Sequence, residues 1–172
     1  KVPALVGEPP TDAIKAGIQA VGYAVAGIEA VTSRLCELGA TQLGRGVGPR
    51  GSHTIVLRDP RGVTLEVVAD QEITEASRLC HVRITSVDLD LPIPWYEKLG
   101  WEVLERSPLA DPGLYGHPDG TAEVARLRLP DEPTETHLVQ WTDPAAHGRH
   151  PNQAHHASIY RIGLGGGRTP AS

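Results

Sequence analysis

The 172-residue chain has no methionine, no phenylalanine and only two cysteines, Cys36 and Cys80. Two thiols cannot build a disulfide framework, so a reduced, cytoplasmic setting is expected. No apolar run approaches the roughly 20 residues that span a bilayer, so no membrane partner is expected. No basic run stands out and the formal net charge is −5, which argues against nucleic acid as a partner. Lys1–Pro10 lacks a charged stretch followed by a long apolar one, so it does not read as a signal peptide. The missing methionine at position 1 and the tail-like Gly165–Ser172 read as a fragment, or as a chain with gaps.

Apolar residues make up 40% of the chain, enough for the core of one domain or two very small ones. The stretch from Cys80 to Trp101 organises the rest. His81, Arg83 and Thr85 alternate with Val82 and Ile84, the pattern of a half-buried strand. Asp88 or Asp90 then offers an N-cap, with Pro92 and Pro94 in the first helical turn. Ile93, Tyr96 and Leu99 form a helical apolar stripe, and Gly100 suits the helix end.

The same order of elements precedes this stretch. Ile18–Val25 reads as a strand, and Ile28, Val31, Leu35 and Leu38 recur at helical spacing before Gly39. Strands follow at Thr41–Val47, His53–Arg58 and Val63–Val68, the last two joined by the turn Asp59-Pro60-Arg61-Gly62. Gly39 and Gly100 lie 61 positions apart, as do Ala20 and His81; Glu66 and His137 lie 71 apart. The second unit gains its extra positions in the loop Ser107–Gly120. This is the mark of a duplicated supersecondary unit. The expected organisation is an irregular lead-in over 1–17, a first βαβββ module over 18–70 and a second over 71–144. A linker, the first strand of a third module and a tail occupy 145–172. One unit alone would expose sheet edges and an apolar face, so the two pair around a cavity. The fold class is α+β, with paired βαβββ modules forming curved mixed sheets.

HVRITSVDLDLPIPWYEKLGWEV and RDPRGVTLEVV resemble the vicinal oxygen chelate superfamily. That group includes glyoxalase I, bleomycin- and fosfomycin-resistance proteins and extradiol dioxygenases. THLVQWTDP followed by HHASIYRIGL is similar to a junction between two modules of such proteins. The resemblance covers roughly residues 18–164. It implies a scaffold that hosts many chemistries and, where a metal is bound, ligands on the first and last strands of paired modules. His81 matches the first-strand histidine and Glu66 the last-strand glutamate. His137 stands where the second unit has its glutamate, and Ala20 has lost the first unit's histidine. Arg161 takes the histidine position of the third module.

Two imidazoles and one carboxylate, Glu66, His81 and His137, can hold Fe, Mn or Zn with positions left open. Such a metal could chelate two neighbouring oxygens of a substrate. Two readings of function stand side by side. One is a metal-dependent enzyme, dioxygenase-like or glyoxalase-like, acting on a small oxygen-rich molecule. The other is a metal-free protein of the bleomycin-resistance type that sequesters an antibiotic or aromatic natural product. The sequence names no catalytic residue. Arg83 and Thr85 could orient a ligand, and Trp141 and Tyr115 could stack on it. Tyr115 lies in the inserted loop, either over the cavity or exposed. Trp95 reads as helix packing, Cys36 and Cys80 as buried small residues, and His53 and His117 as surface residues. His147, His150, His155 and His156 crowd a solvated linker and match no zinc spacing. A homodimer is expected as readily as pairing within one chain.

Overall fold

Alternation of apolar and polar residues sets the strands, and glycine ends both helices. The computed structural model describes residues 12–74 and 76–148. The first repeat runs β1 (Gly17–Val25), α1 (Ile28–Glu37), β2 (Thr41–Val47), β3 (His53–Arg58) and β4 (Thr64–Ala69). The second runs β5 (Arg78–Thr85), α2 (Pro92–Lys98), β6 (Glu102–Pro108), β7 (Thr121–Arg128) and β8 (Glu135–Asp143). A 3₁₀ turn, Pro112–Tyr115, interrupts the β6–β7 connection. Gly39 and Gly100 follow the helices at φ of 96° and 94°, the left-handed geometry that stops a helix. At the β3–β4 turn the Asp59 carboxylate accepts from the amides of Arg61 and Val63. That local bond fixes the hairpin read from Asp59-Pro60-Arg61-Gly62.

All eight strands join one mixed sheet in the order β2-β3-β4-β1-β5-β8-β7-β6. The repeats meet at its centre, where β1 and β5 run antiparallel. Within each repeat the first strand pairs in parallel with the last. The register preserves the repeat residue for residue: Gly22 lies opposite Glu66, and their counterparts Arg83 and His137 lie opposite each other. The helices cover the outer face. Ile28 packs with Val25, Ile55, Leu57 and Val67 under α1. Leu89, Trp101, Ala125, Leu127 and Leu138 form the equivalent cluster, joined by Ile93 and Tyr96 of α2.

The inner face holds a third cluster, including Val56, Leu114, Tyr115, Val124, Val139 and Trp141. Its cover is the inserted loop. The sheet curls until this loop, leaving one edge strand, reaches the other. Asp111 accepts from the Val47 amide of β2 at 3.3 Å, and a side chain at Gly44 would strike the Leu114 carbonyl. The sheet stays open, with β2 and β6 as its edges.

Several local expectations are corrected. Helix α2 has Leu91 at its N-cap position, with no side-chain cap. The Asp88 carboxylate is taken by the Asp90 amide, and Asp90 pairs with Arg106. Trp95 is 58% exposed, because Ile93 and Tyr96 occupy the inward stripe; its ring meets Tyr96 edge-on. Cys36 is exposed, lying off the buried side of α1, whereas Cys80 is buried. His117 is half-buried, between Asp12 and the Trp141 ring. His147 exchanges backbone hydrogen bonds with Ile14 and Ala16. His150, His155, His156, Arg161 and the third-module strand lie outside the described residues, as does most of the lead-in over 1–17. Among the described residues no helix is long and apolar enough to cross a membrane.

Candidate functional site

Strand alternation delivers a buried polar cluster to the inner face of the sheet. Glu66 comes from β4, His81 and Arg83 from β5, and Glu135 and His137 from β8. All five are buried. Both oxygens of Glu66 are engaged. Arg83 Nε donates to Oε1 at 2.6 Å, and His81 Nε2 donates to Oε2 at 2.9 Å. The other His81 nitrogen, Nδ1, lies 3.4 Å from Cys80 Sγ. The His81 and His137 rings stack with centroids 4.2 Å apart and planes 13° from parallel. His137 Nε2 reaches Glu135 Oε2 at 2.9 Å. Arg126 of β7 grips the same Glu135 with Nε and Nη2, and Glu105 with Nη1.

The charges follow from these pairs. Burial alone would raise the Glu66 pKa, but Arg83 and His81 outweigh it and hold the carboxyl well below the usual range. Burial would lower that of His81; the Glu66 carboxylate and the Cys80 and Glu66 hydrogen bonds overcome it and raise it to about 9. His81 is therefore an imidazolium at neutral pH and donates from both nitrogens. His137 is driven the other way, to about 4, by burial and by the charge of His81. Neutral His137 must carry its proton on Nε2, facing the Glu135 carboxylate. Its Nδ1 is then a bare acceptor, with no partner among the described residues.

A cavity of about 220 Å³ opens beside Arg83. Gln19, Thr64 and Arg58 add polar groups to its wall; Leu43, Val56 and Leu114 add apolar ones. Tyr115 also lines it, with the Arg83 guanidinium 4.3 Å from its ring centre, a cation–π contact. Burial first, then the nearby Glu66 charge, pushes the Tyr115 phenol well above its usual pKa.

The residues singled out from the sequence fall into three groups. Glu66, His81 and His137 come together, with Arg83 among them. Tyr115 is buried over Arg83, so the exposed-loop alternative does not hold. Thr85 and Trp141 are set apart. The Thr85 hydroxyl donates to the Ala13 carbonyl at 2.6 Å, and Trp141 lies in the inner apolar cluster.

As placed, the donors do not form a metal shell. A metal bound by an imidazole lies in the ring plane, about 2.1 Å from nitrogen. Two stacked planes tilted by 13° share no such point. Glu66 has both oxygens committed, and among the described residues no group of three or more His, Cys, Asp or Glu is arranged to hold a metal ion. Arg83 supplies positive charge to the carboxylate instead.

Three participants escape a reading by motif. Glu135 shares the His137 face by simple alternation, and Arg126 faces it across the β7–β8 ladder. Gly22 is the third: a side chain there would fall within 2.5 Å of the His81 ring atoms. A glycine inside a strand was the available signal for a close approach.

The sequence matches no family profile and no curated protein. Solved structures do match in shape. Glyoxalase I from Zea mays is 21% identical with a TM-score of 0.55, over 73% of this chain and 45% of that one. The chain thus spans less than half the length of the maize enzyme. Methylmalonyl-CoA epimerase from Mycobacterium tuberculosis is 14% identical with a TM-score of 0.51, over 72% of this chain and 86% of that one. The Streptomyces coelicolor epimerase, solved with 2-nitronate-propionyl-CoA, is 16% identical with a TM-score of 0.53, over 72% and 96%. Together with the doubled βαβββ topology, these likenesses show that the chain has the fold of the vicinal oxygen chelate superfamily.

Proposed function

We propose that the chain binds a small oxygen-rich molecule in the cavity beside Arg83, by side-chain charge and hydrogen bonding rather than by metal coordination. The observation that carries this reading is the state of Glu66. Each of its two oxygens accepts a hydrogen bond from a cation, one from Arg83 and one from His81, so the carboxylate organises two protein cations where a metal would otherwise sit. The apolar walls from Leu43, Val56 and Leu114 suit a ligand with a compact carbon body. Sequestration of an aromatic natural product falls within this class. The fold likeness supports a small-molecule role, since two epimerase structures of this shape carry a CoA ester analogue.

The test is elemental analysis of the purified protein with and without a chelator, alongside a thermal melt. No stoichiometric metal and a chelator-insensitive melting temperature are expected. One metal per chain would overturn the reading. A second reading has its own observation: Glu66, His81 and His137 already touch. On that reading a metal displaces Arg83 from Glu66 and unstacks the rings, and the chain is a metal-dependent enzyme. His81→Ala would then abolish metal binding while leaving the fold intact. Two copies pairing as a homodimer are compatible with either reading.

A further inference from the structure

The cavity has a built end. Arg83 and Tyr115 both line it, and each carries a buried polar atom, Nη1 and Oη, with no hydrogen-bond partner among the described residues. Buried polar groups are nearly always satisfied, so two side by side call for a partner. Arg83 Nη1 can only donate. The Tyr115 phenol is protonated at neutral pH and can donate as well. Two donors, one of them cationic, select an acceptor with negative charge.

The sequence has gone to some length to put Tyr115 there. It rides on the loop inserted only in the second repeat. Asp111 caps the 3₁₀ turn through the Leu114 amide and also accepts from Val47 on the far edge strand. Two glycines of β2 form the notch that receives it. A side chain at Gly44 would come within 2.2 Å of the Leu114 carbonyl oxygen, and one at Gly46 within 1.9 Å of Asp111 Oδ2. The strap therefore fixes Tyr115 against the Arg83 guanidinium.

We propose that Arg83 and Tyr115, held together by this latched strap, form a clamp for the oxyanion of a small carboxylate whose apolar body lies against Leu43, Val56 and Leu114. The clamp rests on the cavity-binding reading above and narrows it to a ligand class.

Calorimetric titration of the full chain with benzoate and with uncharged benzyl alcohol tests it. The two probes share a ring and differ in the oxyanion. Benzoate should bind at least about ten-fold tighter, and Tyr115→Phe should remove about ten-fold of benzoate affinity, the size of one charge-assisted hydrogen bond. Tyr115→Phe keeps the ring and its contact with the Arg83 guanidinium, so the melting temperature should hardly move while benzoate affinity falls, which separates ligand contact from a structural role. Gly44→Ala, which meets the Leu114 carbonyl and touches neither donor, should also weaken benzoate by lifting the strap. Equal binding of both probes, or no effect of Tyr115→Phe, overturns the clamp while leaving the cavity reading standing. Binding of neither probe overturns the clamp and the cavity reading together.

Discussion

Two histidines of one strand-paired cluster are driven in opposite directions, and that makes the cluster's pH response two-sided. His81 has its folded pKa raised from 6.5 to about 9. Its contribution is complete below 6.5 and disappears as pH rises through 9. His137 is lowered from 6.5 to about 4, so its neutral form costs nothing above 6.5 and stability falls as pH drops toward 4. Each limb is worth on the order of 3 kcal/mol at the usual conversion of pKa to free energy. Urea denaturation from pH 5 to 9 should therefore show a maximum near pH 6.5. His81→Gln should flatten the alkaline limb, and a rising curve between pH 7 and 9 would contradict the assignment. Glu66→Gln should be more damaging, by about 3–5 kcal/mol, because it strands a buried guanidinium and imidazolium. Glu66 and His81 were legible through the family resemblance, as the last-strand glutamate of one module and the first-strand histidine of the other. Glu135 was not, because an acidic residue two positions before a histidine looks the same whether the strand buries it or leaves it in water.

At the scale of elements, the strands and helices follow from alternation and helical spacing, and nearly all lie where those patterns put them. The departures arise from contacts between elements. Cys36 and Trp95 depend on how a helix is rotated about its axis, which neighbouring strands decide. The missing cap of α2 reflects competition, since a turn amide and Arg106 claim Asp88 and Asp90 first. Gly44 and Gly46 of β2 are where a distant loop lands. That landing predicts an order of effects. Gly44→Ala meets a backbone carbonyl, which cannot swing aside; Gly46→Ala meets the end of a side chain, which can. Chemical denaturation should show the first costing more, within the roughly 1–3 kcal/mol of an overpacked contact. Equal costs would mean that the strap does not bear on β2.

At the scale of the molecule, duplication has produced halves alike in topology and unlike in chemistry. Ala20 and Gly22 hold the positions that His81 and Arg83 hold in the second repeat. The absence of a side chain at Gly22 is what His81 requires, since Gly22 lies directly under the His81 ring. The first repeat thus supplies Glu66 and open space, and the second supplies the cations. The two sheet edges differ in the same spirit. Edge strand β2 is held by the strap, and its Val47 amide is bonded to Asp111; edge strand β6 has no equivalent cover among the described residues. Local opening follows such differences in protection. Amide hydrogen exchange should be slowest in β1 and β5 at the centre, intermediate in β2 and fastest in β6. Asp111→Ala, which cuts the latch, should bring β2 to the rate of β6 without changing the central strands. If β2 exchanges as fast as β6 in the unmodified chain, the strap does not close the open side of the sheet, and the cavity lacks the wall that positions Tyr115.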